Sequence, residues 1–194
     1  GQRIDNLAWP LRARAGHRDP DYHGVSNYVD LNPGFPDQLL DWNCGQRTYD
    51  MANGYNHAGV DYFLWPFGWR MMDAAVIEIV ASAPGVIVLK QDGFPDRSCD
   101  ATSSTQWNAV FVQHGDGTVA WYGHMKTGST TAKAVGDSVA AGEYLGLVGS
   151  SGRSSGPHLH LELRSSNVPG SLVLEAHAGA CRTGSTLWAA QRPY

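Results

Sequence analysis

Residues 156–164 read Gly156-Pro157-His158-Leu159-His160-Leu161-Glu162-Leu163-Arg164. Leucine takes every second position. Successive side chains of an extended chain point to opposite faces, so Leu159, Leu161 and Leu163 share one face of a strand. His158, His160, Glu162 and Arg164 share the other. A histidine on the polar face of a strand is more often structural than a ligand. The pair therefore gains chemical meaning only if other metal-ligand residues lie elsewhere in the chain.

Outward from this strand, the same kind of signal recurs. Residues 75–93, AVIEIVASAPGVIVLKQDG, read as two apolar runs broken at Ala83-Pro84-Gly85. Residues 108–125, NAVFVQHGDGTVAWYGHM, read as strand, turn and strand, with His114-Gly115-Asp116-Gly117 as the hairpin loop. VDYFLWPF, from Val60, is aromatic and β-branched. The predicted fold is mainly β: an antiparallel sheet core with long loops and little helix. Residues 1–50 show no sustained period and are expected to form an irregular N-terminal segment packed on the core of a single domain, 51–194. Short helices are expected at Asp37–Trp42, behind Pro36, and at Ser185–Gln191.

Composition excludes several classes. The 194 residues are 42% hydrophobic and 16% charged, which suits a folded domain with a substantial core. The net charge of −4 and the absence of a basic run argue against nucleic acid as a partner. No apolar run has membrane-spanning length. The opening GQRIDNLAWP lacks the basic and apolar regions of a signal peptide. A monomer is expected. The cysteines, Cys44, Cys99 and Cys181, allow at most one internal bridge, with the pairing open. None lies in a C-x-x-C pair, which argues against a thiolate metal site.

Histidines and a carboxylate complete the picture. His57 and Asp61 are spaced i, i+4, so in an extended chain both reach one face, with Gly59 allowing close backbone approach. His124 closes the apolar strand VAWYGHM beside Gly123. With His158 and His160 these residues offer imidazoles and one carboxylate, the donor types of a hydrolytic zinc site. Catalytic zinc takes three protein ligands and leaves a fourth position open. Five candidates exceed that need by two, and the surplus histidines suit acid–base and oxyanion roles.

NHAGVDY, YGHM and SSGRSSGPHLHLELR, in that order, resemble the lysostaphin-type or LytM-like zinc metallopeptidases, which cut peptide bonds in bacterial peptidoglycan. The resemblance covers roughly residues 45–165. It implies that His57, Asp61 and His160 bind one Zn2+ per chain and that His124 and His158 are the catalytic histidines. It further implies a zinc endopeptidase acting on peptidoglycan stem peptides or cross-bridges, secreted or periplasmic and associated with the cell wall. The competing reading is a non-catalytic LytM-like module that binds wall or activates other hydrolases. Glu162, on the histidine face, is expected to be solvated or ion-paired, with orientation of a ligand histidine as the sharper alternative. Tyr55, Tyr62, Tyr122, Trp65, Trp69 and Trp107 are expected mostly to pack. His17, His23, His114 and His177 match no element of the family pattern.

Overall fold

The alternation at His158–Arg164 becomes the middle of a large antiparallel sheet. The computed structural model describes residues 4–18 and 21–191. Its elements are β1 (Leu11–Ala13), β2 (His23–Asn27), β3 (Val60–Leu64), α1 (Gly68–Asp73), β4 (Ile77–Val80), β5 (Gly85–Gln91), β6 (Ala109–Gln113), β7 (Val119–Gly123), β8 (Ser138–Val139), β9 (Tyr144–Leu147), β10 (His158–Arg164) and β11 (Val173–Leu174). The large sheet runs β2-β3-β10-β7-β6-β5-β8, with β11 added beside β10, and β1-β4-β9 form a second sheet. All pairings between these strands are antiparallel. The fold is mainly β, as expected, with one helix of six residues among the described ones.

Period two sorts the side chains of the large sheet. Leu159, Leu161 and Leu163 of β10 enter the main core with Val60, Tyr62 and Leu64 of β3. Val110 and Val112 of β6 and Ala120 and Tyr122 of β7 join them, against Ile77, Ile79 and Leu145 of the smaller sheet. Burying a leucine or isoleucine in this way contributes about 1.5–3 kcal/mol. The opposite face of β6 and β7 carries its own cluster of Ala109, Phe111 and Val119, flanked by Trp107 and Trp121. The hairpin forms where expected: Gln113 pairs Val119, and His114 N–H donates to the Thr118 carbonyl at 2.8 Å.

Three expectations are corrected. The stretch 1–50 is not wholly irregular, because it supplies β1 and β2 as strands of the two sheets. Their shortness hides them: β2 buries a single residue, Val25, so no hydrophobic period can develop. No helix forms at Asp37–Trp42. Asp37 sits at φ 58°, outside right-handed helix, and Asp41 N–H donates forward to the Gly45 carbonyl at 2.9 Å. Nor is Ser185–Gln191 helical. Leu187 N–H donates to Ala176 and Ala189 N–H to Leu7, so long-range partners replace the helical ones. Cys44 and Cys181 form the one disulfide, and Cys99 is exposed and free.

Candidate metal centre

Strand register assembles the site. His160 of β10 lies opposite Asp61 of β3 on one side and Gly123 of β7 on the other. Cross-strand partners share a face, so Asp61 and His160 project together on the side away from the leucine core. His160 Nδ1 is 2.9 Å from Asp61 Oδ1, and His57 Nε2 is 3.1 Å from Asp61 Oδ2. One donor atom from each of His57, Asp61 and His160 lies within 4.8 Å of the other two. All three residues are buried.

The surroundings orient each donor. His57 Nδ1 hydrogen-bonds the Tyr28 carbonyl at 2.8 Å, which makes it the donor and turns Nε2 inward as a lone pair. That Nε2 is buried and makes no hydrogen bond, despite its closeness to Asp61. The ring of Tyr49 stacks on His57 with centroids 4.5 Å apart. His160 Nε2 meets Glu162 Oε2 at 3.0 Å, and Glu162 is also ion-paired with Arg164. Glu162 is thus buried rather than solvated, ion-paired with Arg164 as one expectation had it, and in contact with His160 as well. Gly59 has a different use from the one expected. A Cβ there would lie 2.6 Å from His160 Cε1 and Nε2, so the glycine makes room for the imidazole ring.

Two imidazoles and one carboxylate whose donor atoms converge in a buried pocket fit a divalent cation such as zinc. Carboxylate contact on the outer nitrogen of a ligating histidine is the usual support for such an ion. The titration of the metal-free site shows how strongly its charges are coupled. Burial pushes the Asp61 carboxyl up, but His57, His158 and the His160 hydrogen bond outweigh it and hold the group well below the ordinary range. Burial opposes charge on His160, yet Asp61 and Glu162 together raise it to about 9.

His124 and His158 stand beside this cluster, with ring centroids 4.4 Å apart. Gly123 shares the face of His160, so an extended residue 124 would point to the core. His124 instead adopts φ 62°, a left-handed conformation unusual for a residue with a Cβ, and lines the cleft. Its Nδ1 lies 2.6 Å from the Ser151 carbonyl. His158 Nδ1 lies 2.8 Å from the Gly156 carbonyl, and its Nε2 is 3.6 Å from Asp61 Oδ1. With each Nδ1 donating to a carbonyl, both rings present Nε2 as acceptor. Burial, reinforced by His158 and His160, holds His124 well below the ordinary histidine range; burial also lowers His158, against Asp61.

All five residues therefore meet at one cleft of about 880 Å³, which His124, His158, His160 and Asp61 line and under which His57 is buried. Tyr49, Met51 and Tyr55 form an aromatic and apolar part of its wall; Trp107 lines another part, its ring 5.1 Å from His124. Gly123 admits that indole, since a Cβ there would come within 2.1 Å of it. Tyr62 and Tyr122 are core residues, and the Tyr122 hydroxyl accepts from Ser82 N–H. Trp65 is exposed and Trp69 packs under Arg97. His177 is buried against Glu175, away from the cleft lining. The supports that the sequence reading missed are Tyr28, Ser151 and Gly156, which act through backbone carbonyls and leave no mark in side-chain pattern.

Residues 66–171 match the model of Peptidase family M23. That span contains His124, His158 and His160 and begins just after His57 and Asp61. Over 126 residues the chain is 36% identical to DD-carboxypeptidase/endopeptidase Mpg of Neisseria meningitidis, covering 64% of this chain and 24% of that protein. The chain thus spans about a quarter of the curated relatives it matches. The catalytic domain of lysostaphin from Staphylococcus simulans is 25% identical, with 80% and 89% of the two chains covered and a TM-score of 0.48. One chain of the SpoIIIAH and SpoIIQ complex superposes with a TM-score of 0.54 at 18% identity over 88% of this chain and 96% of that one, a likeness of fold alone.

Proposed function

Because this chain belongs to peptidase family M23, we propose that it is a zinc-dependent endopeptidase that hydrolyses peptide bonds of bacterial peptidoglycan, in stem peptides or cross-bridges. The observation that carries this reading is the convergence of His57, Asp61 and His160 donors within 4.8 Å, with two further imidazoles alongside. His57 Nε2, an Asp61 carboxylate oxygen and His160 Nδ1 would hold the ion. The chemistry that zinc supplies at such a site is Lewis acidity, enough to make water nucleophilic near a pH of about 7.

The rest falls to the protein. His124 and His158 are neutral near pH 7 because burial disfavours their charged forms. Each presents Nε2 as an acceptor, with that of His158 lying 3.6 Å from Asp61 Oδ1, so either can take the proton of the attacking water. The ring that takes it becomes a donor and can return it to the leaving amine. The Ser151 and Gly156 carbonyls fix both rings before substrate arrives, so little reorganisation accompanies the transfer. The cleft is wide enough for an extended peptide to lie across the two rings.

The proposed place of action is outside the cytoplasm, secreted or periplasmic and at the wall, with the chain acting as a monomer. An internal disulfide supports an oxidising compartment. The description of the Neisseria relatives, DD-carboxypeptidase/endopeptidase, supports wall peptides as substrate. Retention of both non-ligand histidines counts against the non-catalytic module. The deciding experiment is a digest of purified muropeptides with and without chelator, read by mass spectrometry. New peptide termini that vanish with chelator and with His124→Ala are expected. Stoichiometric zinc with every muropeptide left intact would overturn the peptidase reading in favour of a wall-binding module.

A further inference from the structure

The cleft is lined by amides, hydroxyls and aromatic rings, but among its lining residues Arg153 is the single lysine or arginine. The acids around it are already engaged. Asp50 accepts the Asp37 and Gln38 N–H groups, Asp61 meets three imidazoles, and Glu162 is held by His160 and Arg164. Ion pairs of lysine and arginine among the described residues involve Arg12, Arg14, Arg97, Lys133 and Arg164, and Arg153 is in none of them. A permanent cation thus faces the cleft without an internal counter-charge.

Its backbone is anchored on both sides. Gly152 takes φ 74°, and a Cβ there would fall 2.8 Å from Trp107 Cβ. Ser151 Oγ donates to the Met125 carbonyl at 2.8 Å. Ser154 is 2% exposed, and its Oγ pairs with Ser150 Oγ at 2.6 Å and donates to the Gly156 carbonyl at 2.8 Å. The same two neighbours touch the cleft histidines: the Ser151 carbonyl meets His124 Nδ1 at 2.6 Å, and Ser154 Oγ meets His158 Nδ1 at 3.3 Å. Arg153 is therefore an exposed side chain on a fixed base, placed between the contacts that hold His124 and His158.

We propose that Arg153 is a carboxylate-recognition subsite, which selects peptides bearing a free carboxylate, C-terminal or side-chain, close to the bond positioned at His124 and His158. The bond itself rests on the peptidase reading above; the anion preference does not. A guanidinium offers a planar fork that matches a carboxylate in a bidentate pair, and an ammonium does not. The subsite favours acidic peptides over an uncharged run such as oligoglycine.

The test uses the zinc-loaded protein and two peptides that cannot turn over, because the amide to be cut is replaced by a reduced methylene-amine link. One ends in a carboxylate and the other in a carboxamide. Calorimetric titration should show the acid binding roughly 10- to 100-fold more tightly, the worth of a hydrogen bond to a charged group. Arg153→Ala should bring the two within about twofold, and Arg153→Lys should fall between, as a point charge without the fork. Equal binding of acid and amide to the native protein overturns the proposal. So does a preference that survives Arg153→Ala, and so does failure of either peptide to bind. Unchanged zinc content and melting temperature in Arg153→Ala confirm that the variant is folded. If the native protein prefers the acid but leaves the ordinary amide parent uncut, the peptidase reading fails and the subsite stands.

Discussion

Metal loading should expel a proton from His160, and Glu162 should set the pH at which it does so. His160 Nδ1 faces Asp61 at 2.9 Å and Nε2 faces Glu162 at 3.0 Å, so both ring nitrogens meet carboxylates. Burial works against the charged ring, but these contacts prevail and the group titrates at about 9 rather than 6.5. Ligation through Nδ1 requires the neutral ring. Two pH units below its titration point, only about 1% of the ring is neutral, so zinc affinity at pH 7 is reduced roughly 100-fold. Affinity should rise about tenfold between pH 7 and pH 8 and level off above about pH 9. Calorimetry in buffers of different ionisation enthalpy counts the protons released. Glu162→Gln removes one of the two carboxylates, which lowers the titration point and moves the levelling to lower pH. The comparison with the native protein cancels protons lost elsewhere in the site. A proton count and a pH slope identical in the two proteins would refute the reasoning. The metal-free protein carries the complementary sign. A raised histidine pKa stabilises the fold below 6.5, and that contribution is lost as pH rises through about 9. The span from 6.5 to about 9 is worth ~3 kcal/mol. The melting temperature of chelated protein should fall across that window, and less so in Glu162→Gln.

His124→Ala should keep stoichiometric zinc but lose about 10²–10⁴-fold in turnover, since it removes a proton acceptor and no ligand; metal analysis beside a muropeptide assay checks both halves. Gly59→Ala places a methyl 2.6 Å from the His160 ring and should weaken zinc binding by about 10–100-fold, the scale of other changes next to a metal ligand, as a competition titration would read. Leu161→Ala empties a core position directly beneath His160 and should cost about 2–5 kcal/mol in a denaturant melt of the zinc-loaded protein.

What the sequence displays and what it hides divide along a physical line. Alternation at 158–164 is legible because a strand with one face in the core must repeat every two residues, and β10 repeats for seven. Donor chemistry is legible because only a few side chains bind metals or move protons near neutral pH. β1 and β2 are not legible, because strands of three and five residues with one or two inward positions carry no period. Asp37 hides a failed helix in its left-handed φ, which the order of residues does not declare. The carbonyls of Tyr28, Ser151 and Gly156 hide for another reason: every residue has one, so nothing in the composition marks the three that orient His57, His124 and His158.

Register is the deepest of these omissions, and it explains why weak motifs combine into a site. His57, Asp61, His124 and His160 belong to three separate stretches, and no one of them implies the others. Pairing Asp61 with His160 and His160 with Gly123 puts Asp61, His160 and the Gly123 position on one face, with His57 and His124 in the segments just outside these paired residues. A slip of one residue in either pairing would turn β3 or β7 over, sending Asp61 or the Gly123 position to the core side and leucines or Tyr122 to the cleft. The apolar faces forbid that slip, since Val60, Tyr62 and Leu64 of β3, or Ala120 and Tyr122 of β7, would then leave the core that they fill with Leu159, Leu161 and Leu163. The apolar half of the strand therefore holds the metal half in alignment. His124 is the exception that needs its own device, because alternation alone would send it inward. Its φ of 62° and the Ser151 carbonyl bring it back beside His158, and the strain of that conformation is spent where the acid–base chemistry needs a second ring.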